Sequence, residues 1–260
     1  MDGTWAPALW LIATLIALVV INRWVNQHMQ GVGLLLFGDE DGALLVTYLL
    51  LLPGIVLHEA SHWVMAKSLG LRTGRLTLWP QRVRGHLRLG SIDVENGGPL
   101  LNSLVGVAPF LFGSSVLVLI GYQVFDAELL GTAWTTGDWK AALVSLWDSL
   151  QVRDSWLWLY LIFTVSNAMT PSTSDRAPWR PVIAFSLLLA AIAYLAGWMP
   201  RLSDIAVLQL NDAFRTLTYA FVFTLTIDIV FALFILISEL TLSTARGQRV
   251  VYESSRKRHR

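Results

Sequence analysis

The chain has 260 residues, of which 55% are hydrophobic and 14% are charged, and its formal net charge is +1. Soluble domains carry roughly 25% charged residues, so this composition indicates a membrane protein. Cysteine is absent, which excludes disulfides and thiolate metal sites and leaves His, Asp and Glu as the strong metal ligands. The near-neutral charge argues against a nucleic-acid partner, because no domain-wide basic surface is available to neutralise phosphates.

Six apolar runs set the predicted architecture. Crossing a hydrocarbon core of about 30 Å takes about 20 mostly apolar residues. Such runs lie near residues 5–22, 43–67, 99–122, 155–171, 181–199 and 216–238. The first run has no positive region before it and no small-residue cleavage site after it, so we interpret it as a retained membrane helix. We predict an all-α polytopic membrane protein with about six transmembrane helices, with five as the alternative because the first and fourth runs are short.

The segment between the second and third spans has a different pattern. Its stretches "RLTLW" and "HLRLGSIDV" alternate apolar and polar residues with the period of two that is typical of strands. We therefore expect a small β-hairpin or antiparallel sheet there. No long linker or internal repeat divides the chain, which predicts one membrane domain over residues 1–245, with its core at 43–176, and a disordered basic tail over 246–260.

Basic residues that flank the spans predict the orientation, since cytoplasmic loops are enriched in Lys and Arg. Three alternate segments carry most of them: Arg72, Arg75, Arg82, Arg84 and Arg88 after the second span, Arg176 and Arg180 after the fourth, and Arg246, Arg249, Arg256, Lys257, Arg258 and Arg260 in the tail. The intervening segments are mainly acidic. We expect both termini in the cytoplasm, with the protein in a plasma or inner membrane.

The second span contains the sequence "HEASH", which is unusual in an apolar helix. His58 and His62 are four residues apart, so an α-helix places both imidazoles on one face, close enough to bind one ion. Glu59 lies beside them and is able to take a proton from metal-bound water, the combination used in zinc-dependent hydrolysis. A polar cluster packed between helices is the structural alternative. Three ionisable groups within five positions of a membrane span require compensation, and this favours a metal site.

A catalytic zinc site normally has a third protein ligand and an open position for water. Three further histidines, His28, His86 and His259, are more typical of solvated or locally bonded residues. Asp175 stands out because it follows the fourth span in the polar, proline-containing stretch "TVSNAMTPSTSDRAPW". Non-helical backbone at membrane depth is tolerated where it lines a polar cavity, so this stretch is able to fold back toward the metal. The alternative for Asp175 is an ordinary helix-capping residue.

These residues resemble the motifs of the site-2 protease family of intramembrane zinc metalloproteases. "HEASH" matches the H-E-x-x-H of that family, and "GPLLN" at residues 98–102 is similar to its G-P-x-x-N. Residues 167–175 resemble its N-x-x-P-x-x-x-x-D-G and keep the Asn-to-Asp spacing of eight. Two positions depart from this pattern: Pro171 lies four residues after Asn167 instead of three, and Arg176 replaces the glycine. The motifs cover about residues 43–176.

The resemblance implies one zinc ion per chain, held by His58, His62 and Asp175, with Glu59 as general base and acid. It implies that Asn167 and Asn102 orient the substrate or the metal-bound oxygen. The expected reaction is attack of zinc-bound water on a peptide bond in or near a transmembrane segment of a membrane-protein substrate. The strand-like residues 75–94 would hold that substrate extended by strand addition.

Two other functions remain open at this stage. One is a non-catalytic zinc-binding membrane protein that retains the protease fold to bind a partner. The other is a metal transporter, which is disfavoured because spans other than the second are nearly free of polar residues apart from Asp228. Asp228 itself is either functional or a protonated group bonded to a Ser or Thr of a neighbouring helix. Neither the substrate nor the oligomeric state is specified by the sequence.

Overall fold

Most of the chain is α-helical in the computed structural model, which describes residues 6–75, 77, 81–83, 86–88, 92–195, 197 and 204–252. In chain order, the helices of this part are α1 (Ala6–Phe37), α2 (Glu40–Ser68), α3 (Gly98–Gln123), α4 (Ala127–Thr136), α5 (Trp139–Gln151), α6 (Ser155–Met169), α7 (Thr173–Arg176), α8 (Trp179–Leu195) and α9 (Asp204–Arg246).

Five segments of the described chain are long and apolar enough to cross a membrane: Ala6–Phe37, Glu40–Ser68, Gly98–Gln123, Ser174–Leu195 and Ile205–Arg246. Large apolar side chains are exposed along several of them, including Leu9, Ile16, Leu187 and Phe234. Such continuous apolar surface is typical of helices that contact lipid. The chain is an all-α integral membrane protein, as its composition predicts.

The fourth predicted span, residues 155–171, is represented by α6, which has only 15 residues. At about 1.5 Å per residue this helix is about 22 Å long, shorter than a hydrocarbon core. Its residues Ile162, Phe163 and Val165 are buried inside the protein. The apolar sequence of α6 thus reflects a position in the protein core, and the count of six spans stays a prediction.

The loop between α2 and α3 contains two three-residue strands, β1 (Gln81–Val83) and β2 (His86–Arg88), which pair antiparallel. Nearer the helices, Thr73 and Val94 form an isolated antiparallel bridge, and the Gly74 N–H donates to the Asp93 carbonyl at 2.7 Å. Residues 76, 78–80, 84–85 and 89–91 of this segment lie outside the described residues, so the sheet proposed for residues 75–94 stays a prediction.

Helix α2 packs closely against α6, and this contact positions the candidate site. The Asp39 side chain caps the start of α2 by accepting from the Gly42 N–H at 2.6 Å, and Gly70 at φ +76° follows its end. Halfway along, Gly54 lies directly against the backbone of Thr164. Any side chain at this position would overlap that backbone, so glycine allows the two helices to approach.

Helices α1 and α9 lie side by side and run in the same direction. His28 on α1 meets Glu239 on α9 at 2.6 Å, and further along both helices Arg246 donates to the Leu36 carbonyl at 2.9 Å. Parallel helices that both cross a membrane end on the same face. The prediction that both termini are cytoplasmic requires α1 and α9 to cross in opposite directions, and this parallel packing does not support it.

The first residues of the predicted basic tail pack against α1 and α9. The Tyr252 hydroxyl donates to Glu239 at 2.7 Å, and its ring lies 4.5 Å from that of His28. Burial raises the pKa of the Tyr252 hydroxyl, and the hydrogen bond to the Glu239 carboxylate raises this pKa further. Residues 253–260 of the tail, including His259, lie outside the described residues.

Candidate metal centre

Two imidazoles and a carboxylate converge on one point beside α2. The Nε2 atoms of His58 and His62 are 3.2 Å apart. Asp175 lies 3.4 Å from His62 Nε2 through Oδ1 and 3.7 Å from His58 Nε2 through Oδ2. In the described part of the chain, these three residues form the one group of three or more potential ligands whose ligand atoms lie within 4.8 Å of one another.

Each imidazole is held by a backbone carbonyl on its far side. His58 Nδ1 donates to the Ala168 carbonyl of α6 at 2.7 Å, and His62 Nδ1 donates to the Val105 carbonyl of α3 at 2.9 Å. Because a carbonyl only accepts hydrogen bonds, both Nδ1 atoms carry protons, and in a neutral ring with this tautomer the lone pair lies on Nε2. Two facing lone pairs and a carboxylate repel one another unless a proton or a cation lies between them.

The spacing of these atoms fits a small tetrahedral ion. Ligands at about 2.0–2.1 Å from a tetrahedral zinc ion stand about 3.3–3.4 Å from one another. The separations of 3.2, 3.4 and 3.7 Å lie close to that value. Carbonyl-bound Nδ1 atoms are also the usual support of metal-binding histidines, since they fix the tautomer and the ring orientation. The three residues are therefore able to hold a metal ion.

Asp175 reaches the site on the one-turn helix α7. Ser172 precedes this helix and forms a capping box with Asp175, in which the Ser172 N–H donates to Asp175 Oδ2 at 2.7 Å and the Ser172 hydroxyl accepts from the Asp175 N–H at 3.3 Å. The two alternatives for this residue are thus compatible, because one carboxylate both caps α7 and lies beside the histidines. The pattern S-x-x-D at residues 172–175 is the sequence signal that indicates this cap.

Glycine on α3 makes room for this turn. Gly106 lies directly against the Asp175 carbonyl, and a Cβ atom at this position would overlap its oxygen. The neighbouring Val105 supplies the carbonyl that holds His62. The same turn of α3 therefore positions two of the three candidate ligands. Sequence reasoning did not identify either residue, since neither carries a ligating side chain.

A cavity of about 680 Å³ adjoins the candidate ligands. Glu59 lies in its wall and is only 9% exposed. Polar side chains from several elements also line the cavity: Asn26 and Gln30 on α1, Thr47 and Tyr48 on α2, Asn96, Asn102, Asn167, Ser172 and Ser174. The centre is thus connected to a space with both polar and apolar walls that is large enough for several residues of an extended peptide.

The two predicted orienting asparagines both line this cavity, but they differ in their hydrogen bonds. Asn102 uses both ends of its amide locally: Nδ2 donates to Asn96 Oδ1 at 2.7 Å, and Oδ1 accepts from the Gly97 N–H at 3.1 Å. Asn167 donates to the Phe163 carbonyl at 2.9 Å, while its buried Oδ1 has no hydrogen-bond partner in the described part of the chain. Asn167 is therefore the better placed of the two to accept a bond from a bound group.

The remaining histidines do not join the centre in the described residues. His28 is bonded to Glu239, and this pair lies between α1 and α9. The backbone of His86 lies in β2, but its side chain and the whole of His259 are outside the described part. Asp228 is bonded to Ser166 of α6 at 2.6 Å, in line with the expected Ser or Thr partner.

Compared with protein-family models, curated proteins and solved structures, the chain matches none. The resemblance to site-2 proteases therefore depends on the three motifs "HEASH", "GPLLN" and residues 167–175.

Proposed function

We propose that the chain is an intramembrane zinc metalloprotease of the site-2 protease type, which hydrolyses peptide bonds in or near transmembrane segments of membrane proteins. One observation carries this proposal: the two Nε2 atoms and the Asp175 carboxylate face a common point at 3.2–3.7 Å, with both Nδ1 atoms already bonded to carbonyls. Glu59 and a cavity with several polar side chains in its wall adjoin that point in a protein with an apolar outer surface.

In this proposal His58, His62 and Asp175 hold the ion, and neutral imidazoles with an anionic carboxylate are a donor set that suits zinc. When bound, zinc acts as a Lewis acid that acidifies water and polarises a carbonyl oxygen. Glu59 takes a proton from the attacking water and delivers it to the leaving amine. Asn167 and Asn102 contact the substrate from the cavity wall.

The substrate is a locally unwound segment of a membrane protein, because an intact helix hides its carbonyls in hydrogen bonds. The cavity offers such a segment polar side chains in place of lost backbone hydrogen bonds. Strand addition along residues 75–94 holds the segment extended. In this arrangement the Arg-rich loop after α2 faces the cytoplasm.

A non-catalytic zinc-binding role is the alternative, and Arg176 in place of the family glycine is the feature that favours it. A structural zinc site is normally closed by four protein ligands, whereas three candidate ligands beside a cavity leave a position open. This open position favours the hydrolase.

The decisive experiment compares the full-length protein with Glu59→Gln after reconstitution with a single-span reporter that carries a fluorescent protein at each end. We expect about one zinc per chain in both proteins by elemental analysis, and cleavage by the wild type alone. Glu128→Gln is the matched control, since Glu128 is an exposed glutamate on α4. Undiminished cleavage by Glu59→Gln would remove Glu59 from the mechanism, and zinc binding without cleavage of a panel of such reporters would favour the non-catalytic role.

A further inference from the structure

Asp228 is fully buried at 0% exposure in α9, although charged groups are costly inside a membrane protein. Its Oδ2 lies 2.6 Å from the Ser166 hydroxyl, and its Oδ1 has no hydrogen-bond partner in the described part of the chain. Ser166 belongs to α6, the helix that ends beside the candidate metal centre. Because burying an acidic side chain at such a position costs free energy, we expect Asp228 to have a role that a small apolar residue could not fill.

Ser166 is also bonded to a third helix. Asn22 of α1 is 2% exposed, and its Nδ2 donates to the Ser166 carbonyl at 2.9 Å and lies 3.4 Å from the Ser166 hydroxyl. Asp228 and Asn22 therefore hold one residue of α6 from two sides. Ser166 itself is 0% exposed, so water does not compete for these bonds.

These hydrogen bonds are made to the last turn of α6, where the backbone carbonyls lack partners within the helix. The last four carbonyls of an α-helix have no partner within the helix, and in α6 these belong to residues 166–169. Asn22 satisfies the Ser166 carbonyl, and His58 Nδ1 satisfies the Ala168 carbonyl at 2.7 Å. The end of α6 is thus anchored by side chains of α1 and α2, with Asp228 holding the same turn from α9.

We propose that Asp228, Ser166 and Asn22 form a positioning network for the metal centre. The network holds the last turn of α6 in place, so that the Ala168 carbonyl keeps the His58 ring in the orientation and tautomer that direct Nε2 at the ion. Asp228 does not touch substrate or metal; it acts through Ser166 and is a positioning residue. This inference rests on the proposed zinc site and assigns a purpose to the buried carboxyl group of Asp228.

The test measures the zinc affinity of purified full-length variants by competition with a chelator, together with the visible spectrum after Co²⁺ replaces zinc. Residues that support a metal ligand typically change metal affinity by about 10–100-fold when they are removed. We expect a loss in that range and an altered Co²⁺ spectrum for Asp228→Ala. Asp228→Asn, which keeps a hydrogen bond to Ser166, is expected to recover most of the affinity.

Asp148→Ala is the matched control, because Asp148 is exposed on α5, and its zinc affinity should equal that of the wild type. Asp228→Ala with lowered thermal stability but unchanged zinc affinity and Co²⁺ spectrum would overturn the inference, since a merely structural role predicts that result. If Asp228→Ala does not fold, Ser166→Ala decides by the same measurement: weaker zinc binding supports the network and wild-type affinity overturns it. A wild-type chain that binds zinc but cleaves none of the reporters would favour the non-catalytic role, and this comparison of zinc affinities would still be valid.

Discussion

The contact between Gly106 and Asp175 gives a sharp prediction, because it involves only one added methyl group. In Gly106→Ala the new Cβ atom would overlap the Asp175 carbonyl oxygen. Cβ atoms essentially never lie within 3.0 Å of another non-bonded heavy atom, so the Asp175 backbone and α3 must separate by about 1 Å to relieve the overlap. The carboxylate that faces the two histidines moves with it.

The size of the effect follows from the precision that a metal site requires. Ligand distances in a metal site are held to within about 0.2 Å, so a shift of about 1 Å takes the carboxylate out of the coordination sphere unless α7 also adjusts. We expect zinc affinity to fall by about 10–100-fold, the usual range for a disturbed supporting contact. The replacement also removes a helical glycine, which favours the helix by about 1 kcal/mol and opposes any loss of global stability. Weaker metal binding without matching destabilisation is therefore the expected signature.

Chelator competition and thermal unfolding of the same preparations measure these two quantities. Gly121→Ala is a suitable control, since Gly121 lies on the same helix and its new Cβ would stand 3.2 Å from that of Ala127. We expect this control to bind zinc like the wild type. Wild-type zinc affinity in Gly106→Ala would refute the reasoning, because it would mean that the position of Asp175 does not matter to the centre.

Asp175→Asn keeps an acceptor for the Ser172 N–H but loses the negative charge, so α7 should persist. We expect zinc affinity to fall by more than about 100-fold, which exceeds the range for residues that only support a ligand. Equal zinc affinity in the variant and the wild type would exclude Asp175 as a ligand. The parallel packing of α1 and α9 predicts that reporters fused to the two ends of the chain lie on opposite membrane faces, which an odd number of spans, such as the five candidates, also requires. Reporters on the same face would instead support the orientation predicted from the basic residues.

The sequence predicted the histidine pair well because helix periodicity alone brings residues four apart to one face. The approach of Asp175 was left open by the residues themselves, since a polar break with proline is tolerated beside a polar cavity but also fits an ordinary helix cap; the resemblance to site-2 proteases favoured the ligand. The carbonyls of Ala168 and Val105 were not predictable, because backbone groups leave no mark on residue identity. The same holds for Gly106, whose importance lies in the side chain that it lacks.

Helix lengths were the weaker part of the prediction. The first span was predicted to end near residue 22, yet α1 continues to Phe37 through Asn22, Asn26 and His28. These polar residues do not end the helix, because they have partners: Asn22 bonds Ser166, Asn26 bonds the Asn22 carbonyl, and His28 bonds Glu239. The bounds of α6, Ser155–Met169, lie close to the predicted run of residues 155–171. Whether α6 crosses the membrane stays a prediction, because a run of apolar residues packs in a protein core as well as against lipid. Hydropathy alone does not distinguish these environments.

The candidate ligands are braced by separate parts of the chain: His58 by α6, His62 by α3, and Asp175 by the turn that follows Ser172. During synthesis, no ribosome-bound chain shorter than 175 residues can offer the full set. Under the proposed function, an ion held by all three residues is captured only after α2, α3 and α6 have docked, and it ties these helices together. A half-made chain would lack the complete candidate metal centre, so the proposed protease would become active only after its helices have docked.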